Sequence, residues 1–548
     1  MFLKYISLLL LLISLTNALK FSPLLTDNLI LQRNKYVNIW GTSTETNEII
    51  TLTLSINNSE EIYTNNSSEN NWNIIIPPHS ETSGDESYTI TVRTLESQIQ
   101  IKNVLFGDLY LCSGQSNMET TASYSSQIYG NEFINYADYY TKMRWFQLPE
   151  QFSKTTDEIP TTNNPITNAT NDTIPIVYIG DGGSWTQVNS NSISSFGKYY
   201  DFGFTSAVCY FTMINLYNNT NGTVPIGFID SSYGGTQIES WMSPSSINIA
   251  EDICNPLGYK KDGYYLKPGL YNDGKYLTVP PSQIYNAMLY PLVPFNFTTM
   301  IWYQGEANCD KYPVPGFPHN QNALIYGCTF PIFISDIRKT LKNPTLPFYF
   351  VQLAPYNDTF NGGAYTFGGS NSYYLGQFAL FRQMQRLGLS QPYTGMVNAI
   401  DLGDLNESLE SNIHTRNKYP IGFRLSKLIS GIVQDGPIIN SVSYDNVNII
   451  VSFDLNSIGE YLYLKGSSSC VLCCNLTPFT VNNEYGNETG ILLPVVEIDK
   501  NNIFLSIPEN FNVTLITSFQ LQFEDYPQCI LYNSNGIPAF QTSIPLKI

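Results

Sequence analysis

The sequence predicts an α/β protein, with a doubly wound, five-stranded parallel sheet flanked by β-sandwich-like regions at both ends. Two patterns carry this expectation. In the middle of the chain, continuous apolar runs recur at residues 104–112, 225–230, 299–303, 348–353 and 396–400, and helix-like segments such as 204–217 and 374–387 lie between several of them. Strands that are apolar throughout and alternate with helices imply βαβ units and a sheet covered on both faces. Towards the ends the period changes to two. Residues 36–40, 49–54 and 88–92, and again 449–453, 461–464, 503–507 and 519–523, alternate apolar with polar and are separated by Asn, Ser, Thr and Glu turns, the pattern of a sandwich.

Taken in order, residues 1–18 read as a secretory signal. Lys4 precedes a mostly apolar stretch, and Thr16-Asn17-Ala18 places small residues at the cleavage position. The stretch is too short for a convincing membrane span, so a secreted or lysosomal protein is expected. Residues 19–103 form the N-terminal β region, 104–436 the central domain and 437–548 the C-terminal β region. A total of 548 residues exceeds what one core organises. Two insertions interrupt the centre. Residues 152–175 read as a flexible surface loop, and 243–285 as a wall or lid of a site or simply a packed excursion.

Composition narrows the partners. A formal charge of −18 argues against nucleic acid and anionic membrane and suits an acidic or extracellular setting. Asn57, Asn65, Asn66, Asn168, Asn171, Asn218, Asn221, Asn296, Asn357, Asn406, Asn475, Asn487 and Asn512 each begin an N-glycosylation triplet. Nine cysteines in an exported chain imply disulfides and at least one left over. Cys309 with Cys328 is the first expected pair, and Cys470, Cys473, Cys474 and Cys529 are expected to pair within the C-terminal region. The Cys470-x-x-Cys473 spacing lacks a second Cys/His pair, so zinc is not expected. The sequence leaves the oligomeric state open.

Ligands of open α/β sheets bind outside the carboxyl ends of the strands, and four unusual segments fall there. The first run leads into Ser113-Gly114-Gln115-Ser116-Asn117-Met118, and the second into Ser231 to Trp241 through Gly234 and Gly235. The third leads into Gln304-Gly305-Glu306-Ala307-Asn308. The fifth leads into Asp401-Leu402-Gly403-Asp404 and then Ile413 to Lys418. A serine on a sharp turn at a strand end is a nucleophile if a base, an orienting group and oxyanion donors surround it. Only His79, His319 and His414 exist. His79 reads as a surface residue and His319 as a loop residue, whereas His414 follows the last strand, from where it reaches back to Ser116. Oxyanion donors are the N–H of Ser116, the N–H of Gly235 and the amide of Gln304. Trp241 and Trp302 read as core aromatics.

The four segments together resemble the sialate O-acetylesterases of the SGNH hydrolase superfamily. The likeness rests on Gly-Gln-Ser-Asn-Met, Gly-Gly-Thr-x-Ile-Glu-x-Trp, Ile-Trp-Tyr-Gln-Gly-Glu-Ala-Asn and Ile-His-x-Arg-x-Lys in this order, supported by Tyr285-Asn286-Ala287-Met288 and Pro291-Leu292. It implies an SGNH-hydrolase-like sheet and a serine carbohydrate O-acetylesterase acting on an O-acetylated sugar without metal or organic cofactor. Ser116 is then the nucleophile, His414 the base, and Gly235 and Gln304 oxyanion donors. An acetylesterase for plant or microbial polysaccharide and an inactive glycan-binding protein stand as alternatives. The sequence also departs from the superfamily, since Ser411 stands where the acid three residues before histidine is usual, Gln304 replaces the usual Asn, and Thr415 a common Pro. Asp401 is therefore the expected orienting acid, because it directly ends a strand, with Asp404, Glu410, Glu306 or no acid at all as alternatives.

Overall fold

Strand β1, Gln98–Gly114, is the axis around which the rest is arranged. Its first half alternates in burial and pairs antiparallel with Tyr88–Arg93. At Asn103 the backbone enters the left-handed region (φ 56°). From Val104 onward every residue but Asp108 is buried, because this half is covered on both faces and pairs parallel on both sides. The expected boundary between 103 and 104 thus falls inside one strand, at the point where its surroundings change. The computed structural model describes residues 19–68, 71–153, 176–178, 183–194, 205–254, 279–309, 321–356, 377–404, 413–432, 436–466, 477–483, 491–509 and 511–546. The expected signal segment, most of both insertions, His319, Glu410, Ser411, Cys470, Cys473, Cys474 and the glycosylation sites Asn168, Asn171, Asn357, Asn406, Asn475 and Asn487 lie outside them.

Six strands form a continuous parallel run: β1, β2 (Met143–Gln147), β3 (Ile226–Ser232), β4 (Thr299–Tyr303), β5 (Phe348–Val351) and β6 (Thr394–Val397). They lie in the order β2-β3-β1-β4-β5-β6. The five expected strands are the run β3-β1-β4-β5-β6, and β2 adds a sixth to the five foreseen. It escaped the pattern because Arg144 and Gln147 break its apolar run, although both are buried. Arg144 is accommodated by donating to the carbonyls of Thr141 and Met143. Thr186–Gln187 closes the β2 edge antiparallel. Beyond β1, the N-terminal strands Ile30–Gln32, Ile49–Ile56, Ser59–Asn66 and Tyr88–Arg93 join the same eleven-stranded sheet.

The helices that bear on the sheet and the site include α1 (Ser116–Glu119), α2 (Ala122–Tyr129), α3 (Ala207–Asn219), α4 (Pro244–Cys254), α5 (Gln321–Thr340), α6 (Gln377–Gln385) and α7 (Lys418–Ile429). They pack in two groups, α3 with α7 and α5 with α4 and α6, as expected when right-handed crossovers serve both faces of a sheet. Ser206 caps α3 by accepting from the N–H of Cys209. A disulfide joins β1 to α3 through Cys112 and Cys209, and another joins α4 to α5 through Cys254 and Cys328. This corrects the expected Cys309–Cys328 pair. Adjacency in sequence suggested that pair, but α4 packs alongside α5 and brings Cys254 to Cys328. Cys529 is disulfide-bonded as well.

The C-terminal region builds two four-stranded antiparallel sheets. One comprises Ile439–Tyr444, Asn448–Phe453, Asn502–Ser506 and Val495–Asp499, the other Ile491–Leu492, Phe479–Asn483, Ile516–Leu521 and Thr542–Pro545. Val451, Phe453, Leu505, Phe519 and Leu521 share the core of this sandwich-like unit. It is fastened to the centre by Arg382 of α6, fully buried, which donates to the carbonyls of Glu524 and Asp525 and to Gln541 Oε1. Among the described residues no helix is long and apolar enough to cross a membrane.

Candidate active site

Strand register brings three of the four rim segments to one level. Ser113 stands opposite Ser231 and Trp302, and Gly114 opposite Ser232 and Tyr303. Gly114 ends β1 at φ 147°, and a Cβ there would lie 2.1 Å from the carbonyl oxygen of Tyr303. Only glycine fits so close to the neighbouring strand, and this lets the chain fold over the sheet edge, where Gln115 N–H donates to Tyr303 O (3.1 Å). Ser116 then opens α1, a position where a helical turn leaves its N–H groups unbonded by the helix itself.

His414 arrives from the other side of the sheet, after β6. Its Nε2 lies 2.9 Å from Ser116 Oγ, joining residues 298 apart in sequence. The ring keeps an edge towards solvent, but its surroundings are dense, and burial together with the charge of Lys418 lowers its pKa to about 3. The Thr415 hydroxyl donates to the Leu402 carbonyl, which fastens the histidine segment to the loop after β6.

The loop after β3 lies against Ser116. A Cβ on Gly234 would lie 3.4 Å from Ser116 Cβ and 3.0 Å from Glu119 Oε2, while one on Gly235, at φ 69°, would meet nothing within 4 Å. Gly235 therefore borders open space beside Ser116. Glu119, one turn after Ser116, accepts from the N–H of Gly234, and burial and neighbouring Glu150 push its carboxyl well above the usual range. Sequence reasoning missed Glu119; its signal was a carboxylate three residues after a candidate nucleophile.

The remaining expected residues take other partners. Gln304 is fully buried, and its Nε2 donates to Thr236 O (3.1 Å) and Asn308 Oδ1 (2.7 Å). Its Oε1 accepts from Tyr326 (3.1 Å). Both amide hydrogens are engaged in holding the β3 and β4 loops together, so in this arrangement neither is left for an oxyanion. Asp401, expected to orient His414, binds Arg424 through both oxygens (2.8 and 2.7 Å) and accepts from Tyr532 (3.2 Å). Asp404 binds Arg416 through both oxygens, one of them at 3.0 Å to Nη2 and the other at 2.6 Å to Nε. An arginine fork matches a carboxylate geometrically better than an imidazole does, which is why these strand-end acids serve α7 and the segment before it. Glu306 accepts from Asn117 (2.6 Å). Trp241 and Trp302 are buried edge to face at 5.7 Å, as core residues. His79 is half-buried, stacked on Phe106 at 4.6 Å, rather than at the surface. Among the described residues no group of three or more His, Cys, Asp or Glu could hold a metal.

Residues 106–429 match the family described as carbohydrate esterase, sialic acid-specific acetylesterase. The chain belongs to this family. The esterase is a carboxylic ester hydrolase, and similar proteins bear this out. It is 27% identical over 424 residues to the sialate O-acetylesterase of Homo sapiens, spanning 74% of this chain and 69% of that one. It is 26% identical over 435 residues to that of Mus musculus, spanning 74% and 72%. The crystal structure of a carbohydrate acetylesterase from Xanthomonas citri shares the fold, with a TM-score of 0.68 at 23% identity over 96% of this chain and 99% of that one.

Proposed function

We propose that this esterase removes O-acetyl groups from sialic acids through an acetyl-enzyme on Ser116, and that β3-β1-β4-β5-β6 is an SGNH-type sheet. The observation that carries the mechanism is the 2.9 Å contact between His414 Nε2 and Ser116 Oγ. As Ser116 Oγ adds to the acetyl carbonyl, Nε2 takes its proton. The developing oxyanion lies between the N–H groups of Ser116 and Gly235, which are free of side-chain bulk on the open side. Collapse breaks the bond to the sugar oxygen, which leaves with the proton from His414. Water, activated by the same nitrogen, then adds to acetyl-Ser116 and releases acetate.

The sialate specificity is supported by the family and by the named relatives. The signal-like residues 1–18, the glycosylation triplets and the disulfides support passage through the secretory pathway. The decisive experiment pairs labelling with turnover. A fluorophosphonate should modify Ser116, and acetate should be released from O-acetylated sialic acids faster than from acetylated xylan. Ser116→Ala should fold and lose about 10⁴-fold or more of the activity. A folded Ser116→Ala enzyme within about tenfold of wild type would overturn the mechanism, and preference for xylan would overturn the substrate.

A further inference from the structure

Three of the rim segments meet at one side chain that catalysis itself does not use. Asn117 follows the nucleophile, is buried, and has both amide hydrogens and the amide oxygen engaged. Nδ2 donates to Glu306 Oε1 (2.6 Å) and to the carbonyl of Ile413 (2.9 Å), and Oδ1 accepts from Lys418 Nζ. Glu306 lies on the loop after β4, Ile413 immediately precedes His414, and Lys418 begins α7. The residue after the nucleophile is thus bonded to the residue before the base.

Lys418 is fully buried, with Nζ 5.1 Å from the centre of the Tyr303 ring. A buried ammonium costs several kcal/mol in lost hydration, and an alkyl side chain would fill the same space without that cost. Its presence therefore needs a purpose other than packing. We infer that Asn117, anchored by Lys418 and Glu306, is the positioning residue that fixes His414 on Ser116. The inference rests on the serine mechanism proposed above. The charged and titratable groups around this network are Tyr303 from β4, Glu306 from the β4 loop, Lys418 from α7, and Asp404 with Arg416 from the segment between β6 and α7. Lys418 acts on His414 both through the tether and as a cation that opposes protonation of the ring.

The test uses the full chain and substitutions at each anchor. In Lys418→Met and Asn117→Ser, fluorophosphonate labelling of Ser116 and kcat should fall together by about 10²-fold, the cost of a misplaced reacting group, with KM within about threefold. In Lys418→Met the acid limb of kcat/KM should also move up, towards the ordinary histidine value. Glu306→Gln, which still offers Oε1 to Asn117, should restore most of what Glu306→Ala loses. Folded variants that lose only thermal stability, with labelling rate and acid limb unchanged, would overturn the inference. If one variant does not fold, the other still carries the labelling rate and the split between kcat and KM, either of which decides the inference. Absence of Ser116 labelling in the wild type would instead overturn the serine mechanism, so the two failures are distinct.

Discussion

At the scale of single residues, the site separates groups that face the reaction from groups that hold the rim. Gln304 illustrates the difference. From the sequence it is an oxyanion donor, because an amide beside a strand end can donate; in the fold its amide bridges Thr236, Asn308 and Tyr326. Gln304→Ala should leave the buried Thr236 carbonyl short of its donor, at about 1–3 kcal/mol, while Asn308 Oδ1 keeps the Ile238 N–H and Tyr326 keeps the backbone carbonyl of residue 304. A lower melting temperature should accompany its loss of kcat, and a loss of kcat at unchanged stability would return it to the oxyanion hole. Asp401 makes the same point. Asp401→Asn breaks a buried ion pair with Arg424 and should cost about 3–5 kcal/mol, while the folded fraction keeps kcat within about tenfold. A loss near 10⁴-fold, as when the group fixing the tautomer of a catalytic histidine is removed, would restore it as the orienting acid. The meeting of Ser116 with His414 was legible because serine on a strand-end turn and a scarce histidine each have few alternatives. The partners of Asp401 and Gln304 were not, since arginines, tyrosines and carbonyls distant in sequence decide them.

At the scale of elements, the position of Ser116 follows from where β1 stops. Two glycines on the rim have opposite surroundings and predict opposite outcomes. Gly114→Ala would drive a Cβ to 2.1 Å from the Tyr303 carbonyl, prying β1 from β4 and displacing Ser116. Soluble yield and kcat should both collapse. Gly235→Ala meets open space at φ 69° and should cost only about 1–2 kcal/mol for the left-handed backbone. Its methyl projects towards the substrate, so KM should rise while the protein stays folded. If thermal melting ranks the two the other way, the register-based account of the rim is wrong. The parallel strands were legible as apolar runs because burial on both faces removes alternation. β2 was hidden because buried Arg144 and Gln147 bond to nearby groups that a hydropathy pattern does not see. The pattern change at residue 104 was also visible. It marks a change of environment within β1 as well as the start of the parallel sheet.

At the scale of the molecule, the buried titratable groups point to one working range. In the proposed mechanism His414 must be neutral to accept the serine proton. With its pKa lowered to about 3, the acid limb of kcat/KM should lie well below the ordinary value near 6.5, and activity should persist into mildly acid solution. Stability is governed by more groups, and their signs can be worked out. Asp230 is raised to about 7 by burial, and burial also raises Glu119 and Glu306. Each binds a proton in the folded state that the unfolded chain has released above about pH 4.5. Each therefore contributes stability that is full below its unfolded pKa and is lost as pH rises through its folded one. His414 has the opposite sign, its contribution being present above about 6.5 and lost as pH falls towards 3. Between about pH 4.5 and 7 the raised carboxyls outnumber the single histidine, so the melting temperature should fall as pH rises through that interval. Asp230→Asn, neutral at every pH, should flatten the slope. A melting temperature that instead climbs from pH 5 to 7, or a slope untouched by Asp230→Asn, would show that these carboxyls do not hold protons in the fold.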